Sequence, residues 1–97
     1  MIIHGSEVPE LSGRMNYGIE PADLHLRHFV VRRTTPDNPF GPHEHDGLEY
    51  WFILEGEAIV SLDDADTAVT AGDLIVLEPW LRHGLRSETM ARWICLG

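Results

Sequence analysis

The chain is patterned as short apolar and β-branched runs separated by turn-forming residues. The strongest run is Leu48 to Leu54; others are Leu24 to Thr35, Ala58 to Leu62, Thr67 to Thr70, Leu74 to Leu77, Arg82 to Arg86 and Ala91 to Leu96. Each is predicted to be a strand, because such residues suit a pleated, half-buried surface. Glu55-Gly56-Glu57 is predicted to be a tight hairpin turn, with further turns at Asp63-Asp64-Ala65-Asp66 and Ala71-Gly72-Asp73. Residues 36–42 contain Pro36, Pro39 and Pro42 and read as a long irregular connection. No apolar stripe sustains three helical turns, and Pro9 and Gly13 break any period over residues 7–16. Short strands without a crossover helix predict an all-β sandwich or barrel.

Alternation along Leu48 to Leu54 puts Glu49, Trp51 and Ile53 on one face and Tyr50, Phe52 and Leu54 on the other. Both faces are largely apolar, so the outer one needs a cover. Either the N-terminal segment, residues 1–23, packs on or swaps onto the barrel of residues 24–96, or a second subunit does so. A homodimer is the first expectation, since it is the commonest oligomer.

Composition narrows the function classes. The chain has 97 residues, 43% of them apolar, and a formal net charge of −9 from seven Lys+Arg against sixteen Asp+Glu. That length allows one domain, residues 1–97, with a buried core. The acidic balance argues against nucleic acid and against anionic membrane surfaces as partners. The longest apolar run, Tyr50 to Leu54, is far too short to span a bilayer. The first ten residues have no signal-peptide character, and a lone cysteine, Cys95, fits a reducing compartment, so a cytoplasmic location is expected.

His43 and His45 stand two apart and Glu49 four further on, so an extended chain would point all three to one face. Two imidazoles and a carboxylate can form a facial ligand set for a divalent transition metal, and His83 can supply a fourth donor. The same spacing also suits an ordinary solvated face of alternating polar residues, and the pattern alone leaves both readings open.

The stretch Gly41-Pro42-His43-Glu44-His45-Asp46-Gly47-Leu48-Glu49, followed by six residues and Gly56, resembles the first motif of the cupin superfamily. Gly72 and His83 keep the separation of the second motif, with Glu78, Trp80 and Ser87 at its proline, glycine and asparagine positions. Asp37 stands where the first motif opens on glycine. The resemblance covers about residues 24–96. It implies a small single-domain cupin, a double-stranded β-helix or jelly-roll barrel, with a divalent metal (Fe, Mn, Ni or Zn) held by His43, His45, Glu49 and His83. Such a site carries a net positive charge and would attract a carboxylate or hydroxy-carbonyl ligand.

Other residues are placed by parity. Trp51 shares the parity of Glu49 and is expected to line the cavity. His25, Arg27 and Phe29 share one face of their strand, and His28 and Arg32 share the other; an inward Arg or His there can bind a substrate carboxylate. Arg27, His28 and Trp51 are therefore the candidate catalytic residues. Cys95 is expected to be a small buried hydrophobe. Glu44 and Asp46 are expected to be solvated, and His4 incidental. The resemblance implies an enzyme acting on a small oxygenated metabolite, as a dioxygenase, a sugar or keto-acid isomerase, or a uronate-converting protein. The competing expectation is a non-catalytic module that binds or senses a small ligand through its metal.

Overall fold

A computed structural model describes residues 1–12, 14–19 and 26–97. His25 and the start of the strand expected from Leu24 lie outside the described residues. The strands are β1 (Ile2–Ile3), β2 (Glu10–Leu11), β3 (Arg14–Met15), β4 (Phe29–Thr34), β5 (Phe40–His43), β6 (Glu49–Leu62), β7 (Ala65–Thr70), β8 (Leu74–Leu77), β9 (His83–Arg86) and β10 (Ala91–Leu96). One 3₁₀ turn, Gly5–Glu7, accompanies them. The chain is all-β and forms a double-stranded β-helix.

The expected hairpin at Glu55-Gly56-Glu57 is overturned. β6 runs unbroken for 14 residues through that point. Its first part pairs antiparallel with β8 and β10, and its second part pairs with β7 and β9. The register against β10 slips between Ile53 and Glu55, and Gly56 adopts φ +86°. These are features of a bulge that bends a strand, not of a chain reversal. The parity of the buried side chains changes across it. Glu49, Trp51 and Ile53 point inward before Gly56, whereas Ala58 and Val60 do so after it. A Cβ at Gly56 would overlap the Met90 carbonyl, so glycine alone suits this bend.

A second correction concerns residues 36–42, expected to be irregular. Phe40–His43 forms β5 despite its proline and pairs with β9, matching Phe40 with Leu85 and His43 with His83. β5 lies at the sheet margin, where a missing N–H is tolerated. The turns at Asp63-Asp64 and Gly72 stand where expected, with Leu62 opposite Ala65 and Gly72 at φ +91°.

The core is built from Trp51, Ile53, Val60, Val69, Ile75, Leu77, Leu85, Trp93 and Cys95. On the other side of the β6–β8 sheet, Tyr50, Leu74 and Val76 are buried under Ile3, Tyr17 and Ile19. β1 adds to β8, pairing Ile2 with Ile75 and Ile3 with Leu74. Residues from the N-terminal stretch thus cover the apolar face of β6, and that face no longer requires a second subunit. His4, expected to be incidental, places Nδ1 3.2 Å from Asp73 Oδ2. The same buried carboxylate accepts hydrogen bonds from the Gly5 and Thr70 N–H groups.

Replacing Gly56 with alanine should destabilise the fold by at least about 2 kcal/mol, since it adds left-handed strain to a steric overlap. Urea denaturation of the two proteins measures the difference.

Candidate metal centre

His43 ends β5, directly opposite His83 at the start of β9. Residues opposed in an antiparallel pair point to the same face, so both imidazoles enter the barrel mouth together. His45 lies two residues on, in the connection to β6. Its carbonyl accepts a 2.7 Å hydrogen bond from the Trp80 N–H, which ties this connection to the turn that precedes β9. Ring centroids are 4.6 Å apart for His43–His83, 4.8 Å for His45–His83 and 5.5 Å for His43–His45.

The Nε2 atoms of His43, His45 and His83 are all buried and without a hydrogen-bond partner. Each histidine offers a nitrogen within 4.8 Å of the others'. The carbonyl of Leu81 lies 2.7 Å from His83 Nδ1. A carbonyl only accepts, so Nδ1 carries the proton and the Nε2 lone pair faces the cluster. Leaving a buried nitrogen unpaired costs about 1–3 kcal/mol, and three converging in one place form an arrangement that a divalent cation relieves. The residues therefore fit a metal ion.

Glu49 adjoins this cluster without belonging wholly to it. Its Oε2 lies 3.1 Å from His45 Nε2, although the pair is not aligned as a hydrogen bond. Its Oε1 accepts hydrogen bonds from Trp51 Nε1 at 2.6 Å and from the Cys95 thiol at 3.0 Å. His28 Nε2 stands 3.5 Å from Oε2 and 3.4 Å from Cys95 Sγ. Burial pushes the Glu49 carboxyl up, but the donors Cys95 and Trp51 and the imidazoles of His45 and His28 outweigh it, and the net shift is downward. Burial and the Glu49 carboxylate push the Cys95 thiol up to about 12, which keeps it a donor. Spacing along the sequence gave no sign of this role for Cys95. The signal lies in the sheet register, where Cys95 is opposite Trp51 on β10 and β6.

Of the other candidates, Trp51 is fully buried behind the histidines, 5.2 Å from the His83 ring. His28 is half-buried beside Glu49. Arg27 is not brought to the site: its side chain is exposed and its described contact is a backbone hydrogen bond to the Gly97 carbonyl. Glu44 and Asp46 are exposed, as their parity implies. A cavity of about 410 Å³ lies on the outer side of β6 and β7, lined by His4, Ser6, Glu57, Ile59, Ala68 and Glu88 among others. None of the three clustered histidines lines it, and the buried side-chain nitrogens without a partner among the described residues all belong to that cluster, so its size does not make it the reactive site.

Trp80, at the glycine position of the second motif, adopts φ +66° and is 65% exposed. A bulky side chain is strained in this region. Trp80→Gly should therefore stabilise the protein by about 1 kcal/mol, raising Tm by about 4 °C or more in thermal unfolding. Burial also holds the His43 and His83 imidazoles below their ordinary 6.5. Just below 6.5 the unfolded chain binds protons that the folded chain does not. Stability of the metal-free protein should therefore fall as pH drops through this window and recover as pH rises toward 6.5. Urea melts across that range measure it, and a flat profile would contradict it. The Glu49 carboxyl is held below its ordinary 4.5, so its contribution is lost only at lower pH.

The cupin domain family model matches residues 31–97. A comparison with curated proteins gives no match. Among solved structures, the chain is similar to a predicted oxalate decarboxylase from Thermotoga maritima, with 24% identity and TM-score 0.68 over 73% of this chain and 64% of that one. It is similar to a cupin 2 conserved barrel domain protein from Salinispora arenicola, with 24% identity and TM-score 0.64 over 70% of this chain and 59% of that one. It also resembles hydroxypropylphosphonic acid epoxidase from S. wedmorenis, with 22% identity and TM-score 0.61 over 71% of this chain and 42% of that one. The chain thus spans less than two thirds of the length of each of these structures, and the likenesses bear on the fold alone. No helix among the described residues is long and apolar enough to cross a membrane. With the family model matching more than half its length, the chain belongs to the cupin domain family.

Proposed function

We propose that this cupin is a small metal-dependent enzyme acting on a small oxygenated metabolite, as a dioxygenase, a sugar or keto-acid isomerase, or a uronate-converting protein. One observation carries the reading: three buried imidazole Nε2 atoms converge with no hydrogen-bond partner. His43, His45 and His83 would hold a divalent Fe, Mn, Ni or Zn ion, with Glu49 Oε2 as fourth donor. When bound, such an ion supplies Lewis acidity or, if it is iron, O₂ chemistry.

The chain's own residues have separate tasks. The Trp51 indole and Cys95 thiol hold Oε1 of Glu49 and so direct Oε2 toward His45. Phe40, Trp51 and Trp93 pack edge-on or tilted, with centroids 4.7–5.6 Å apart, and keep water from the floor of the site. His28 is half-buried at the rim and is the candidate for moving a proton between ligand and solvent.

A second reading is a binding or sensing module. It is favoured by the arrangement around His28, beside which Glu49 and the protonated Cys95 are the acid–base groups found among the described residues. A cytoplasmic setting is supported by the single free, buried Cys95. A homodimer is supported by β4, which pairs only with β10 among the described residues and exposes Phe29 and Val31.

Elemental analysis of untagged protein tests the metal. Near one equivalent of a transition metal per chain is expected; below about 0.1, in protein never exposed to chelator, the reading is wrong. The double variant His43→Ala, His45→Ala should lose the metal and keep the β-sheet circular dichroism of the parent. Oxygen uptake or product formation with diketones, catechols or uronates separates enzyme from binding module.

A further inference from the structure

Arg32 stands opposite Trp93 in the pairing of β4 with β10, and Trp93 is fully buried. Opposed residues share a face, so Arg32 points into the barrel mouth with His28, and Arg33 points away. This resolves which face of the strand is internal. The guanidinium carbon lies 4.4 Å from the Phe40 ring centroid and 6.0 Å from that of Trp93. Phe40 in turn packs against His43, with centroids 4.9 Å apart. One aromatic ring therefore separates the guanidinium from the histidine cluster.

Arg86 pairs with Asp66 at 2.8 Å and Arg92 with Glu55 at 3.6 Å. Among the described residues, Arg32 has no carboxylate within 4.0 Å and makes no side-chain hydrogen bond. In a chain of net charge −9, an inward arginine without an acidic partner stands out. Stacking on Phe40 and Trp93 holds the planar fork in place while its N–H groups remain free. A fork of this kind matches a carboxylate with two parallel hydrogen bonds. The side chain is exposed at the mouth, so a ligand entering from solvent can reach it.

We infer that Arg32 anchors a carboxylate of the ligand whose other end is held at the histidine cluster. The ligand class is a small organic acid with a second oxygen function a few atoms from its carboxylate, such as a dicarboxylate or a keto or hydroxy acid. The second half of this inference rests on the metal reading above; the anchoring by Arg32 does not.

Malonate is the probe, and malonamide, of similar shape but uncharged, is the control. Metal-free protein labelled with ¹⁵N is titrated in low-salt buffer while the arginine Nε–H resonances are followed. Malonate should shift the Arg32 resonance and the Trp93 indole signal, and malonamide should not. Binding should weaken about tenfold or more in Arg32→Gln and be partly retained in Arg32→Lys, because a charge-assisted hydrogen bond is lost in the first and a point charge kept in the second. Circular dichroism checks that both variants fold, and Arg32→Lys carries the test if Arg32→Gln does not. Shifts absent from the wild type, or unchanged in the variants, would overturn the anchor. A second titration with Co(II) present reads the far end: tighter malonate binding supports one ligand spanning both groups. Unchanged affinity despite bound cobalt overturns the spanning, and failure to bind cobalt overturns the metal reading, while the metal-free result decides Arg32 by itself.

Discussion

The fold depends on a single strand that serves two sheets. β6 gives its first part to β8 and β10 and its second part to β7 and β9. A strand that kept strict alternation could not do this and fill one core, since a sheet change turns its inward face outward. The bulge between Ile53 and Glu55, just before Gly56, shifts the parity, so Trp51 and Ile53 on one side and Ala58 and Val60 on the other all reach the same interior. The first inward residue of β6 is Glu49. The strand that organises the core therefore also delivers a carboxylate to the barrel mouth.

Energetics at that mouth oppose one another. Burying Glu49 disfavours its charge, and the two donors on Oε1 offset this. At His43 and His83 desolvation outweighs the nearby Glu49 charge and, at His83, the Leu81 carbonyl, and they are driven toward the neutral form, in which an imidazole offers a lone pair. The Leu81 carbonyl selects which nitrogen of His83 offers it. Carboxylate and imidazoles thus reach opposite states, charged and neutral, because the partners of Glu49 outweigh desolvation and those of the imidazoles do not. The cavity beside β6 and β7 lies apart from the three histidines, so that volume and the candidate chemistry do not coincide.

Much of the fold was legible because strands β8 and β10 are short, apolar and bounded by turn residues. The H-x-H spacing and its separation from Glu49 and His83 made the candidate ligands legible as well. Glu55-Gly56-Glu57 was misleading because a glycine between acids suits a hairpin and a bulge equally; only the partners of the flanking residues decide. β5 was hidden by Pro39 and Pro42, whose local preference is overridden by pairing with β9. Register was the missing quantity elsewhere. It sets Arg32 against Trp93 and Cys95 against Trp51, and so separates Arg32 from Arg27 and turns a buried thiol into a donor for Glu49.

The opposition of His43 and His83 has a further consequence. Two of the imidazoles come from β5 and the connection after it, and the third comes from β9, far along the chain. A ligand shared by all three would act as a removable crosslink between β5 and β9, at the open end of the barrel. Because the unfolded chain scatters these groups, occupancy and folding would be linked by mass action. Resistance to denaturant would then report how full the site is, without any knowledge of what the protein transforms.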